Sequence, residues 1–223
     1  MKKLYSLFNT SSDKESLGHK FRQRRMIFFN ELISQLPKPL KVLDVGGSVE
    51  FWVNANYQGN TDFQITIINL TARESAYSNL KTKIGDATNL SEYQNNDFDL
   101  VFSNSVIEHL CTKENQTKMA KEILRVGKKH FIQTPSKYFF MEPHYLLPYF
   151  NFCPEGLKFF ILTKTKLSRL RKWNSSFAKQ YIEEIRLLSL KEMKELFPES
   201  IIWKEKFIGM NKSFVAHNIT QKV

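Results

Sequence analysis

An α/β fold, on a mostly parallel sheet with a late antiparallel strand and helices on both faces, is what the sequence predicts. Three observations carry that prediction. Short apolar runs alternate with amphipathic or polar stretches from residue 41 to 135, the pattern of a parallel sheet with helical crossovers. Leu100, Val101 and Phe102 are apolar at consecutive positions, as a parallel strand covered on both faces should be. Two further strand-like runs then sit close together near the C-terminus, a spacing that suits an antiparallel hairpin.

Taken in order, residues 15 to 36 read as a helix, because Phe21, Phe28, Phe29, Leu32, Ile33 and Leu36 share one side at helical spacing. "PKPL" breaks it, and Val42, Leu43 and Val45 make a short first strand. A helix including Phe51 and Trp52 follows the loop. "DFQITIINL" (62 to 70) is a second strand, with a short polar helix expected near 72 to 80. "TKIGDA" (82 to 87) gives a third strand and "DFDLVFSNS" (97 to 105) a fourth. "ENQTKMAKEILRVG" is an amphipathic helix with Gly127 as its stop, and "KHFIQTP" (129 to 135) is the fifth strand. Asp99, at the start of the fourth strand, reads as structural. Near the end, "SLKEMKELF" opens with a capping box, Ser189 ahead of Glu192. "SIIWKEKFIG" and "KSFVAHN" then form a hairpin turning at Met210-Asn211.

The 223 residues suit one domain with a full core: a helical segment over 1–40, the sheet, and a lid or insertion at 136–186. There is no apolar run long enough for a membrane span, and the N-terminus does not read as a secretory signal. Cys111 and Cys153 show no metal-ligand spacing and read as incidental thiols of a reducing cytoplasm. Thirty-three basic against twenty-two acidic residues give a formal charge of +11. That field suits nucleic acid, an anionic membrane face or a phosphorylated substrate alike, and the aromatic residues form no recognisable nucleic-acid module.

In an open α/β sheet, ligands bind at the carboxyl ends of the strands. Strand one ends in Asp44-Val45-Gly46-Gly47-Ser48, strand two in Asn69, strand three in Gly85-Asp86-Ala87 and strand four in Ser103-Asn104-Ser105. In this order the four ends resemble the class I S-adenosylmethionine-dependent methyltransferases, over most of the chain. "FDLVFSNSVIEHL" is similar to the fourth motif of the type 11 subgroup, with its Glu-His pair. The resemblance implies a Rossmann-like, seven-stranded sheet and S-adenosyl-L-methionine as cofactor. It implies cofactor contacts from Asp44, Gly46, Gly47, Asn69, Asp86, Ala87, Ser103 and Asn104. Ser48 and Glu50 stand where the family's D-x-G-x-G-x-G loop has its later glycines. Asn69 stands where an acid normally holds the ribose, so it can donate and accept but lacks the charge.

Outside these motifs, "TPSKYFFMEPHYLLPYF" (134 to 150) leaves strand five at the mouth of the expected site. Glu142 and His144, split by a stiffening proline, can orient and deprotonate an acceptor hydroxyl. The plainer reading of the pair is a Glu–His hydrogen bond that holds the loop. His109 is a further candidate base, near where the methyl group should point, or equally a packed histidine. The site reading includes no metal, because no His/Cys/acid cluster is visible. Residues 145–173 mix aromatic and aliphatic side chains with Lys158, Lys164, Lys166, Arg169, Arg171 and Lys172. They read as a lid, although such helices can also lie on a membrane surface.

The functional expectation is methyl transfer to oxygen on a small-molecule, sugar or lipid-linked acceptor in the cytoplasm. A dinucleotide-dependent oxidoreductase would need a G-x-G-x-x-G loop and an acid after strand two, and has neither. A non-catalytic binding protein on this scaffold, or an RNA-modifying enzyme, are the alternatives the residues leave open.

Overall fold

The computed structural model describes residues 16–71 and 73–220. Helix α1 (Leu17–Ile33) begins where Ser16 accepts the backbone N–H of His19, a cap of about 1 kcal/mol. It ends a turn earlier than the apolar spacing suggests, at Ser34. Strand β1 (Leu40–Val45), helix α2 (Val49–Asn54), and strands β2 (Phe63–Asn69), β3 (Leu80–Ile84) and β4 (Phe98–Asn104) follow. A 3₁₀ turn (Ile107–His109) and helix α3 (Lys113–Val126) lead to β5 (Gly127–Pro135). A short hairpin comes next, β6 (Met141–Glu142) and β7 (Leu147–Pro148), then α4 (Glu155–Lys164), α5 (Ser175–Glu184) and α6 (Leu190–Leu196). Strands β8 (Ile201–Phe207) and β9 (Met210–His217) close the described chain.

The main sheet runs β3-β2-β1-β4-β5-β9-β8. Strands β1 to β5 pair parallel, while β9 is antiparallel to both β5 and β8. Seven strands with a late antiparallel one are thus present. Leu40 and Val42 feed the core on one face, with Phe29, Trp52, Phe102 and Phe131. Leu43 and Val45 feed the other, with Met119, Ile123, Met193 and Phe197 from α3 and the α6 end. Each fully buried large apolar side chain contributes about 1.5–3 kcal/mol. The 3-2-1-4 order reverses between β1 and β4, so a crevice opens at their carboxyl ends.

Several local expectations change. No helix forms among described residues 71 and 73–79. There Ser75 Oγ accepts the N–H of Tyr77 at 3.1 Å, the local competition by which Ser and Asn side chains displace helical bonding. The β8–β9 turn is Ile208-Gly209, with φ of 48° and 75°, while Met210 already pairs with Phe207. Two positive φ values match the twist of a two-residue hairpin. Gly127 does cap α3, but with extended backbone (φ −108°). A Cβ there would lie 2.5 Å from Val101, so glycine lets the helix end pack on the sheet. Asp99 is structural as expected, binding the N–H of Lys41 and the Lys128 ammonium. Between β5 and α6, Tyr145, Phe150, Leu162, Trp173 and Ala178 form a small core of their own.

Candidate active site

The crevice begins at the β1 turn. Gly46 has φ of 78°, and a Cβ on it would lie 2.5 Å from a Val106 methyl. A Cβ on Gly47 would overlap the Asp44 carboxylate, 1.6 Å from Oδ2. The backbone therefore runs close over Asp44 and against Val106 only because both positions are glycine. Asp44 itself is buried; Trp52 Nε1 donates to its Oδ2 at 2.7 Å, and Oδ1 has no partner among the described residues. Burial pushes its carboxyl up to about 7, against the Trp52 bond.

The loop's departures from the family pattern have local causes. Ser48 accepts the Phe51 N–H at 3.3 Å as the cap of α2, and Glu50 lies in that helix's first turn. These are residues a helix N-terminus favours. Asn69 Nδ2 donates to the carbonyls of Gly46 and Gly47 at 3.2 and 3.0 Å. A carboxylate could not make those bonds, so the amide clasps the loop.

Gly46, Asn69, Asp86 and Ala87 come together along a cleft of about 360 Å³, with Ile68, Val106, His109 and Glu184 also on its walls. Asp86 Oδ1 accepts from the Thr88 N–H and hydroxyl at 2.8 Å each, so it caps its turn and borders the cleft at once. Gly47 lies beside this cleft, lining a smaller hollow on the other side of Asn69. Two expected residues do not reach the cleft wall. Ser103 is buried and its hydroxyl donates to Val45 O at 2.9 Å, tying β4 to β1. Asn104 closes β4 in its register with Gln133. Ser105 and Val106 line the cleft instead, because the strand runs on to Asn104 and the chain swings round at Ser105 (φ 57°).

The glycine turn, the Asn69 amide and the apolar walls beside Asp86 are groups of the kind that could hold the amino-acid, ribose and adenine parts of S-adenosylmethionine.

Next to the cleft, His109, Glu142 and His144 are brought together with two residues the sequence reading left out of its catalytic set, Glu108 and Glu184. His144 Nδ1 lies 2.7 Å from Glu142 Oε1, and His109 Nδ1 lies 2.9 Å from Glu184 Oε1. A carboxylate accepts only, so each Nδ1 carries a proton and each neutral ring keeps its lone pair on Nε2. The two rings stand 5.0 Å apart at 82°. Glu142 Oε2 accepts the Tyr145 N–H at 2.8 Å, so the hydrogen bond that holds the loop also holds the candidate base. Glu108 is fully buried; Thr134 Oγ1 donates to its Oε2 at 2.8 Å, while Oε1 has no partner among the described residues. Burial raises the Glu108 carboxyl, against the pull of His144 and His109. For His144 burial acts downward, but the adjacent Glu142 carboxylate, with Glu108 beyond it, raises the ring above its ordinary value. The expectation of no His/acid cluster is therefore corrected: one donor atom from each of Glu108, His109 and His144 lies within 4.8 Å of the others. The sequence hides this because His144 returns from beyond β5.

A second cavity of about 170 Å³ adjoins the first, with Ser105 lining both. Its walls include Gln133, Phe139, Met141 and Pro143, and its far end carries Arg22, Arg25 and Lys212. Glu205, buried in β8, accepts from Arg25 at 2.8 Å, Lys212 at 3.0 Å and Ser213 at 2.7 Å. Burial, with Arg25 nearby, lowers the Lys212 ammonium to about 8.

A methyltransferase-domain family model matches residues 43–130. Among solved structures, the PH0226 protein from Pyrococcus horikoshii OT3 is 19% identical, over 97% of this chain and 98% of that one, with a TM-score of 0.52. The CurJ carbon methyltransferase is 9% identical over 90% of this chain, with a TM-score of 0.54. The [4+2]-cyclase SpnF matches 52% of this chain at 22% identity, with a TM-score of 0.42. At these identities the likeness is one of fold, and the chain spans 54% of CurJ and 47% of SpnF. No curated protein matches the sequence. The family match places a methyltransferase domain over residues 43–130, the run that carries the strand-end motifs. A methyltransferase domain of this kind implies S-adenosyl-L-methionine as the methyl donor. Among the described residues no helix is long and apolar enough to cross a membrane.

Proposed function

We propose that the protein methylates an oxygen of a small-molecule, sugar or lipid-linked acceptor that carries a carboxylate or phosphate. The observation that carries this is the Glu142–His144 pair, set between the donor cleft and the second cavity: His144 packs on His109 of the cleft wall, and Pro143 lines the cavity. Bound S-adenosylmethionine supplies a methyl group on a sulfonium, electrophilic without further activation. The chain's own part is alignment, exclusion of water and removal of the acceptor's proton. His144 Nε2 takes that proton, and Glu142 holds the ring and stabilises the imidazolium. Arg22 and Lys212 favour an anionic group at the far end of the cavity. Residues 136–186 form the lid over this acceptor. Their exposed Phe152, Phe160 and Leu167, beside Lys164 and Lys166, suit contact with a membrane face bearing a lipid-linked acceptor. The free thiols Cys111 and Cys153 suit a cytoplasmic setting.

Calorimetric titration with S-adenosylmethionine and S-adenosylhomocysteine tests the donor site, with NAD as control. A screen of anionic sugars and phenols against their uncharged counterparts tests the acceptor. Donor binding with turnover only on acidic acceptors is the expected result. Donor binding without turnover on any acceptor would favour a binding protein on this scaffold, and salt-sensitive RNA binding with methylation would favour an RNA substrate.

A further inference from the structure

The structure assigns a binding site for one divalent first-row transition ion to Glu108, His109 and His144. The donor set is two imidazoles and one carboxylate, with one donor atom from each within 4.8 Å of the others. The orientation of both rings is already settled. His109 gives its Nδ1–H to Glu184 and His144 gives its Nδ1–H to Glu142, which leaves Nε2 of each as the nitrogen for a ligand. A carboxylate behind each ligating histidine is the usual arrangement at protein metal sites, where it fixes the tautomer and makes the ring a better donor. Glu108 is prepared in the same way: Thr134 occupies Oε2, while Oε1 is buried and unpartnered among the described residues. Such an orphaned charged oxygen is costly unless something pairs with it.

The surrounding charge favours a cation. Three carboxylates, Glu108, Glu142 and Glu184, converge on the two imidazoles. Facing them is one guanidinium, Arg169, whose Nε donates to the His144 carbonyl at 3.0 Å. An ion bound at about 2.0–2.2 Å from each donor requires donor separations of about 3–3.5 Å. The donors, within 4.8 Å of one another, would have to draw together by up to about 1.5 Å to reach that value. The scaffold under Glu108 and His109 is firm. Gln116 Nε2 donates to the Ile107 carbonyl at 2.9 Å, and the Arg186 N–H donates to the Glu108 carbonyl at 2.8 Å. Mixed nitrogen and oxygen donors select zinc and its first-row neighbours over magnesium or calcium. Three protein donors leave at least one coordination position open, and His109 lines the donor cleft.

This deepens the reading given above and rests on it for the reaction. With an ion in place His144 would hold it rather than act as the base, and the ion would make a bound acceptor hydroxyl acidic enough to release its proton to water; His144 serves as the base in the ion-free chain.

The test uses the full chain, stripped with a chelator and titrated with cobalt(II), followed by visible absorption and by calorimetry. S-adenosylmethionine binding is measured on the same samples. The expected result is one cobalt per chain, displaced by zinc, with intensified visible bands. Affinity should fall at least a hundredfold in His144→Ala and in Glu108→Gln, and ten- to a hundredfold in Glu142→Gln, while donor affinity changes less than twofold. Cobalt binding that survives His144→Ala, or no saturable binding in a chain that still binds the donor, overturns the site. Cobalt binding without donor binding keeps the site and removes the reaction it was assigned to serve.

Discussion

The two sides of the site are built in different ways. The donor side is assembled from the ends of β1 to β4 and the turns directly after them. Most of the residues that shape it, from Gly46 to Leu110, lie within one continuous run of strands and turns, and Glu184 of α5 is the one addition from outside that run. The acceptor side draws on α1 for Arg22 and Arg25, on β5 for Gln133, on the segment around β6 for Met141 and Pro143, and on β9 for Lys212. The first is local and repeats a motif, whereas the second exists only after distant parts of the chain have met. A shared donor demands the one, and substrate choice is free to vary in the other.

Substitutions that strike one side and spare the other sharpen this contrast. The largest effect is expected for Gly47→Val, whose side chain would occupy the space of the Asp44 carboxylate. Donor binding should become undetectable by calorimetry while circular dichroism still reports a folded chain. Retained binding would show that the loop is not the donor's seat.

His144→Ala should lower kcat by about 10²–10⁴-fold and leave donor affinity within twofold of the parent. Full activity would refute the assignment of the base. The pH profile adds a sign. A ring raised by Glu142 must lose its proton before it can act, so activity should climb with pH through an apparent pKa above the ordinary histidine value. Glu142→Gln should move that limb to lower pH.

Next comes stability rather than rate. Burial pushes the Asp44 carboxyl up to about 7 from an ordinary value of 3.8, so the native state holds its proton more tightly. Its contribution is fully present below the unfolded pKa and is lost as pH rises through about 7. Asp44→Asn should therefore shrink the fall in Tm between acidic and mildly alkaline buffer. An unchanged difference would place the pH dependence elsewhere.

The smallest effect is expected for Asn69→Asp. It restores the acid that resembles the family pattern but sets a carboxylate against two loop carbonyls. Donor affinity should weaken by about tenfold, the cost of roughly one such polar mismatch. Tighter binding would mean that ribose contact outweighs the clasp.

The same contrast explains what the sequence disclosed. That Gly46, Asn69, Asp86 and Ala87 line the cleft was legible because each lies at the end of its strand or within three residues of it. Ser105 and Val106 line the cleft where Ser103 and Asn104 were expected, since the length of β4 is set by pairing with β5 rather than by composition. Glu142 and His144 could be named as a pair and His109 singly, but nothing in the sequence sets His109 beside them. Glu184 and the Arg25–Glu205–Lys212 group carry no local signal, because their meaning lies in contacts across most of the chain. The missing helix after β2 and the shifted hairpin turn are failures of another kind: side chains of Ser75 and the conformational freedom of Gly209 decided them.

Glu142 and Glu184, which hold the two histidine rings, both belong to the stretch between β5 and α6, whereas Glu108 and His109 sit in the 3₁₀ turn that follows β4. The part of the chain that would judge the acceptor is thus also the part that arms the chemistry. If that stretch lifts, the rings lose their orientation together. On the function proposed above, such a fold would work as an interlock, with the methyl group idle on the donor until the right guest has been enclosed.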